Sequence, residues 1–455
     1  MRALRQIAMG GVGARWKLAN GRCIGWALLM SLAAHVLFFV GAARGQVDYE
    51  EAPIKYSTSP VDDPVARLQA NIDMGRATLR FEPEHGYLES VLSALGIPVS
   101  SQTLVFSKTS FQRRLINPRT PRALYFSDDV YIGYVQQGEV LEVASIDKTQ
   151  GTVFYVLPQN ERAKPRFLRQ TQECLQCHDS TSFTGGIPGL MLRSLYAGLD
   201  GQPILTAGTF VTTQQSPIFE RWGGWYVTGT HGRQRHLGNL ILSDADGAEK
   251  PNLSAGANLA SLKGRVDVSP YLSPHSDIVA LMVLEHQVQM HNLLTRANYQ
   301  TRIAMAYEQE MNRALERPGD YRSEGMQSRI KSVCEPVVKY MLFSGEVVLT
   351  DPISGTSAFA EDFSRQGPGD GKGRNLRQLD LKSRLFKYPC SYLIYSEQFD
   401  ALPDPAREYI YARLVEILSG RDQSPAFQHL SQEDRRDILQ ILRETKKEFA
   451  NNLKD

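Results

Sequence analysis

Five short runs of β-branched and aromatic residues between residues 103 and 157 constrain the fold of this 455-residue chain more than any other feature. Turn-forming residues, such as those at 136–138 and 147–151, separate the runs. Short runs with turns between them predict antiparallel strands. The predicted strands are residues 104–106, 123–126, 130–135, 140–143 and 152–156, and brief strands are expected at 204–211 and 225–227.

Helical periodicity replaces this pattern in the second half of the chain. Apolar positions recur at helical spacing from Ile278 toward Leu315, after a start near residues 274–276. Shorter helices are predicted near 62–72, 87–95 and 405–418, and Ser431 to Asp434 resembles a capping box that starts a final helix. The fold class expected is therefore α+β, with a β-rich N-terminal region, a loop-rich middle region and a mainly α-helical C-terminal half.

Composition divides the chain into six regions. We expect a signal peptide or N-terminal anchor at 1–45, a tether at 46–61, and a mixed region with antiparallel strands at 62–164. A glycine-rich region that carries the chemistry and the long helix follows at 165–350, then a flexible linker at 351–380 and a helical region at 381–455.

The first 45 residues have the pattern of an export signal. Basic residues up to Arg22 precede an apolar run at 24–41, which small residues follow. The leader is either cleaved near residue 45 or kept as an N-terminal membrane anchor, and in both cases residues 46–455 are expected outside the cytoplasm, in the periplasm or otherwise exported. Without the leader the chain has 45 basic and 49 acidic residues, so its net charge of −4 argues against nucleic-acid binding.

The chemical motif of the chain is Cys174-Leu-Gln-Cys177-His178. In a C-x-x-C-H motif the two thiols can bond to the two vinyl groups of one haem edge, and the adjoining histidine can bind the iron. The chain here resembles the c-type cytochromes. That resemblance implies one covalent haem c, thioether links at both cysteines, and His178 as the proximal iron ligand, so residues 165–350 are expected to be a haem-binding region.

Two further observations qualify this resemblance. Residues 220–239 and 384–403 are similar to exported bacterial proteins described as containing a cytochrome c domain. The motif itself lies mid-chain after a β-rich region, whereas small soluble cytochromes carry it near the start of a helical domain. We therefore do not expect the small helical cytochrome fold.

Three other interpretations of the cysteine pair stay open. A redox dithiol would need a preceding strand and a following helix, whereas residues 179–186 have loop composition. A zinc site would need a second cysteine pair, but Cys334 and Cys390 are isolated and could instead form one disulfide. The third interpretation is a structural disulfide between Cys174 and Cys177.

The second axial ligand of the iron would decide the function, because Met or His favours electron transfer and an open face favours catalysis or gas binding. The candidate ligands are His286, His231, His291 and His236, with methionine behind them. On a helix, His286 and His291 would differ by about 140° and could not share one metal. A separate non-haem metal held by histidines of both groups is a further alternative.

The sequence thus predicts an exported monohaem c-type cytochrome that transfers single electrons to or from a redox partner protein or a quinone pool. One alternative is a haem oxidoreductase with an open distal face, where Arg235, Glu285 or a free histidine serves as acid or base. Another is a redox scaffold module that docks through the β-rich region.

Overall fold

The computed structural model describes residues 48–243 and 246–451. It confirms an α+β fold, with a sheet in the N-terminal half and helices in the C-terminal half. The strands are β1 (Thr103–Val105), β2 (Arg122–Phe126), β3 (Val130–Tyr134), β4 (Val140–Asp147), β5 (Gly151–Pro158), β6 (Leu168–Gln170), β7 (Leu192–Leu195), β8 (Thr209–Thr212) and β9 (Trp225–Tyr226). The helices are α1 (Pro64–Asp73), α2 (Leu88–Ala94), α3 (Leu175–His178), α4 (Ile278–Ala314), α5 (Glu324–Met341), α6 (Phe359–Ser364), α7 (Glu397–Asp400), α8 (Asp404–Leu418), α9 (Gln432–Thr445) and α10 (Lys447–Asn451).

Seven strands form one antiparallel sheet in the order β6-β5-β4-β3-β2-β1-β9. The first six are neighbours in sequence, and β9 joins the outer side of β1, where Tyr226 lies opposite Leu104. Strands β7 and β8 form a separate pair. Each of the five strands predicted between 103 and 157 is present, whereas the strand expected at 204–211 begins only at Thr209, because a 3₁₀ turn occupies Leu205–Ala207.

Side chains alternate across a strand, so the sheet divides the interior into two cores. Tyr125, Val143 and Tyr155 point to the core that contains α1 and α2. Phe126 and Phe154 point to the opposite core, which contains α4 and the C-terminal helices. The segment that bears the motif lies on this second side, since the ring of His178 packs against Phe154 with centroids 4.8 Å apart.

Helix α4 is the central element of the second core. Its 37 residues begin after the N-cap Asp277, whose Oδ1 accepts hydrogen bonds from the amides of Val279 and Ala280. The other oxygen, Oδ2, accepts from the amides of Thr356 and Ser357. The capping residue is thus one position later than the predicted start, and the same buried carboxylate attaches the helix to residues 351–380.

Two segments expected to be loosely held are packed in the structure. Residues 351–380 contain α6, and Phe359 and Phe363 are buried there, so this stretch is not the flexible linker expected from its glycines. In the expected tether, Tyr56 is fully buried and its hydroxyl donates to the carbonyl of Thr152 at 2.8 Å. The leader, including the expected signal or anchor at 1–45, lies outside the described residues. Within the described ranges no helix has the length and apolar character of a membrane span.

Candidate functional site

The motif forms a single helical turn between the edge strand β6 and a loop at 179–190. The amides of Cys177 and His178 both donate to the carbonyl of Cys174, at 3.2 and 3.0 Å. Leu175 is buried against the second core and anchors the turn, Cys174 is half-buried and Cys177 is exposed. Both thiols are free, so the structure has no disulfide between them.

The environment of Cys174 differs from that of a redox-active dithiol. Burial raises its pKa to about 11, and the nearby carboxylates Glu142 and Glu173 act in the same direction. The thiol is therefore protonated at neutral pH, whereas reactive dithiols have a cysteine with a lowered pKa. A loop follows the motif instead of a long helix. Both observations weigh against the dithiol interpretation.

His178 has the hydrogen-bonding pattern of a metal-binding histidine. Its Nδ1 donates to the carbonyl oxygen of Gly189 at 2.9 Å. This bond fixes the tautomer with an unprotonated Nε2, and among the described residues Nε2 has no hydrogen-bond partner. Burial lowers the pKa of the imidazole, so the ring is neutral at pH 7. A neutral imidazole whose second nitrogen donates to a carbonyl is the usual state of a histidine ligand.

A charged pair on the sheet lies near the motif. Arg122 Nη1 on β2 and Glu142 Oε2 on β4 are 2.6 Å apart, and both side chains are more than four-fifths buried. Burial alone would raise the pKa of Glu142, but Arg122 and the hydroxyl of Ser110 outweigh it and lower the pKa. The charges of both residues also act on the pKa of His178. This pair had no signal in the sequence, because its partners are 20 residues apart.

His286 and His291, the candidate ligands on α4, lie in separate hydrogen-bonded environments. His286 bonds through Nδ1 to Gln214 Oε1 and through Nε2 to Ser391 Oγ. His291 donates through Nε2 to the carbonyl of Asp128 at 2.8 Å, and its Nδ1 bonds to the side chain of Gln398. Iron ligation by either ring would cost one of these hydrogen bonds.

His231 and His236 are brought together by the turn that joins them. Their ring centroids are 4.6 Å apart, and Trp222 packs against His236. His231 donates through Nδ1 to the carbonyl of Gln234 and accepts at Nε2 from the amide of Asn258. Among the described residues, none of the ring contacts or hydrogen bonds of the four candidate histidines involves His178.

Glu285, expected as an acid or base in the oxidoreductase alternative, forms a buried ion pair. Its Oε2 lies 2.9 Å from Nη1 of Arg221, and both side chains are almost completely buried. Arg221 also donates to the carbonyls of Gln214 and Ser216. The other candidate of that alternative, Arg235, donates to the carbonyls of Gly232 and Gln234 in its own turn.

The two remaining described cysteines, Cys334 and Cys390, are buried in the second core and free. Burial raises the pKa of each to about 12. Across the described ranges, no group of three or more His, Cys, Asp or Glu side chains is arranged to hold a metal ion.

Comparison of the chain with protein-family models, with curated proteins and with solved structures found no match.

Proposed function

We propose that the chain is an exported monohaem c-type cytochrome that transfers single electrons, with the haem linked to Cys174 and Cys177 and its iron bound by His178. The observation that supports this best is the hydrogen bond from His178 Nδ1 to the carbonyl of Gly189, which leaves Nε2 available to a metal. Two free thiols precede that histidine at the spacing of a covalent haem motif.

The residues around the motif have separate tasks in this proposal. Exposed Cys177 is accessible to modification, while buried Leu175 fixes the turn that carries both thiols. Phe154 supports one side of the His178 ring, and burial keeps the imidazole neutral and therefore able to bind metal. When bound, haem c supplies a one-electron redox couple. A redox partner protein or a quinone pool is the expected partner.

The second candidate function is a haem oxidoreductase with an open distal face. A specific observation favours it: His231, His286 and His291 each use both ring nitrogens in hydrogen bonds, so ligation by any of them requires a rearrangement. In this function the charged groups that act on His178 are Arg122 and Glu142. Glu285, the expected acid or base, forms an ion pair with Arg221 instead.

Optical spectroscopy distinguishes these functions. The chain is produced with its leader in a host that attaches haem, and spectra are recorded oxidised, reduced with dithionite, and after addition of carbon monoxide. A low-spin reduced spectrum that carbon monoxide does not change supports electron transfer. A high-spin spectrum that shifts with carbon monoxide supports the oxidoreductase. If no haem stays attached to the denatured chain, both candidate functions are overturned.

Matched cysteine variants test the attachment site. Cys174→Ala and Cys177→Ala should each lose one thioether bond, and the double variant should lose covalent haem altogether, as measured by the mass of the denatured chain. Cys390→Ala is the control, because this cysteine is also buried and free but lies outside the motif. Covalent haem in the double variant would contradict the proposal. Recovery of the protein in the cytoplasmic fraction would contradict export.

A further inference from the structure

We infer that Asn292 of α4 is a positioning residue for His178, acting through the backbone of residues 189–190; this inference rests on the proposed function. Asn292 lies 114 residues after the histidine it would serve, and nothing in the sequence connects the two. The connection consists of three consecutive contacts, from α4 to the loop and from the loop to the imidazole.

The first two contacts hold the loop on the helix. The amide of Leu190 donates to Asn292 Oδ1 at 3.2 Å, and Asn292 Nδ2 donates to the carbonyl of Leu190 at 2.7 Å. One side chain thereby satisfies both backbone groups of Leu190. Asn292 is 4% exposed, so water does not compete for these bonds.

The third contact transmits that position to the histidine. Gly189 precedes Leu190, and its carbonyl is the acceptor for His178 Nδ1. The backbone at Gly189 approaches the helix so closely that a Cβ there would lie 2.4 Å from Asn292 Oδ1. A side chain at this position would clash with Asn292, so glycine is required. The side-chain amide of Asn292 therefore packs directly on the residue whose carbonyl orients His178.

The chemical consequence concerns the donor strength of Nε2. A histidine whose Nδ1–H bond is strong is a more basic ligand, and hydrogen bonds next to the ligand are one of the ways in which a protein sets a haem potential. Weakening the hold on the Gly189 carbonyl should make His178 a poorer donor. The ferric state should lose more stabilisation than the ferrous state, and the midpoint potential should rise.

A purely structural role for Asn292 is the alternative, and α4 provides a matched control for it. Asn298 lies on the same helix, is 2% exposed, and donates to the carbonyl of Ala401, which belongs to another loop. Loss of either asparagine removes a buried hydrogen bond and should lower the free energy of unfolding. Only the substitution at position 292 should change the midpoint potential of the haem iron.

The experiment compares wild type, Asn292→Leu, Asn298→Leu and Gly189→Ala as holoproteins. Gly189→Ala pushes the loop away from Asn292 without altering the helix. It therefore tests the same contact if Asn292→Leu does not fold. We expect Asn292→Leu and Gly189→Ala to raise the midpoint potential, and Asn298→Leu to destabilise the protein with the wild-type potential. In the double variant Asn292→Leu, Gly189→Ala, the two shifts should not add, because each breaks the same connection.

The outcomes separate this inference from the proposed function. If wild type carries covalent haem but Asn292→Leu and Gly189→Ala keep its potential, Asn292 is only structural and the inference is overturned. If wild type carries no covalent haem, the proposed function falls and the inference with it. A measurement that does not involve haem is amide exchange of Leu190, which should accelerate in Asn292→Leu and not in Asn298→Leu; equal rates in both would also overturn the inference.

Discussion

The hydroxyl of Tyr49 donates to Oδ2 of Asp179 at 2.5 Å, across 130 residues of sequence. Asp179 directly follows His178, so the beginning of the described chain is attached to the end of the motif. The ring of Tyr49 also packs edge-to-face on Tyr56, which is bonded to strand β5. Residues that look like a tether in the sequence therefore form one side of the candidate site.

Tyr49→Phe should destabilise the protein by about 1–2 kcal/mol, because it removes a partly buried hydrogen bond to a carboxylate. Urea unfolding followed by circular dichroism measures this. Tyr307→Phe is the control, since Tyr307 is 54% exposed and its loss should cost less than about 0.5 kcal/mol. Equal stability of Tyr49→Phe and wild type would show that water replaces the bond.

Arg221→Met should cost about 3–5 kcal/mol at pH 7, because it leaves the carboxylate of Glu285 buried without its cation. Burial raises the pKa of Glu285, and loss of Arg221 should raise it further. The variant's native state then takes up a proton more readily than its unfolded state, so its deficit should shrink as the pH falls. Unfolding curves at pH 7 and pH 5 test this, and a deficit that does not change with pH would mean that Glu285 stays ionised.

Two buried histidines should make stability fall in acid. Burial lowers the pKa of His236 and of His286 to about 3, whereas both titrate near 6.5 when unfolded. Below about pH 6.5 each histidine binds a proton in the unfolded chain but not in the native chain. The free energy of unfolding therefore falls by about 1.4 kcal/mol per pH unit for each histidine. His236→Gln should therefore lose about 2 kcal/mol less than wild type between pH 7 and pH 5. An identical loss in both proteins would show that His236 takes up its proton as readily in the folded state as in the unfolded state.

The thiol count should distinguish the states of the cysteines. In the holoprotein carrying Cys23→Ser, no thiol should react with Ellman's reagent before denaturation, because burial shields Cys334 and Cys390 and raises their pKa to about 12. Two should react after denaturation without reductant. A count of four would mean that haem is not covalently attached, and a count of zero would mean that Cys334 and Cys390 form a disulfide.

The strands and long helix could be predicted because their patterns are local. Strand β5 is a continuous run of β-branched and aromatic residues, and helix α4 repeats apolar side chains at helical spacing. A short window of sequence contains either pattern. Residues 351–380 were not predicted correctly, since α6 has only six residues and its buried side chains, Phe359 and Phe363, are too few for a period. The glycines of this stretch predict a flexible loop instead.

The motif residues of the candidate site could be found from the sequence because they are adjacent. The residues that orient them could not. Gly189 is one of many glycines in its region, and Asn292 is one polar residue within a buried stretch of helix; the contact between their segments spans about 100 residues. The ion pair of Arg221 and Glu285 spans 64 residues and had no signal at all.

The late return of β9 to the sheet has a consequence for how the chain folds. Strands β1 to β6 can pair successively through short connections, whereas β9 pairs with β1 across about 120 residues. Closing such a long loop costs more chain entropy and brings no reward until the final contacts form. We therefore expect β9 to join the sheet late in folding. Until it does, strands β1 to β6 form a six-stranded meander, and Cys174 and Cys177 lie on a segment that is still open and accessible.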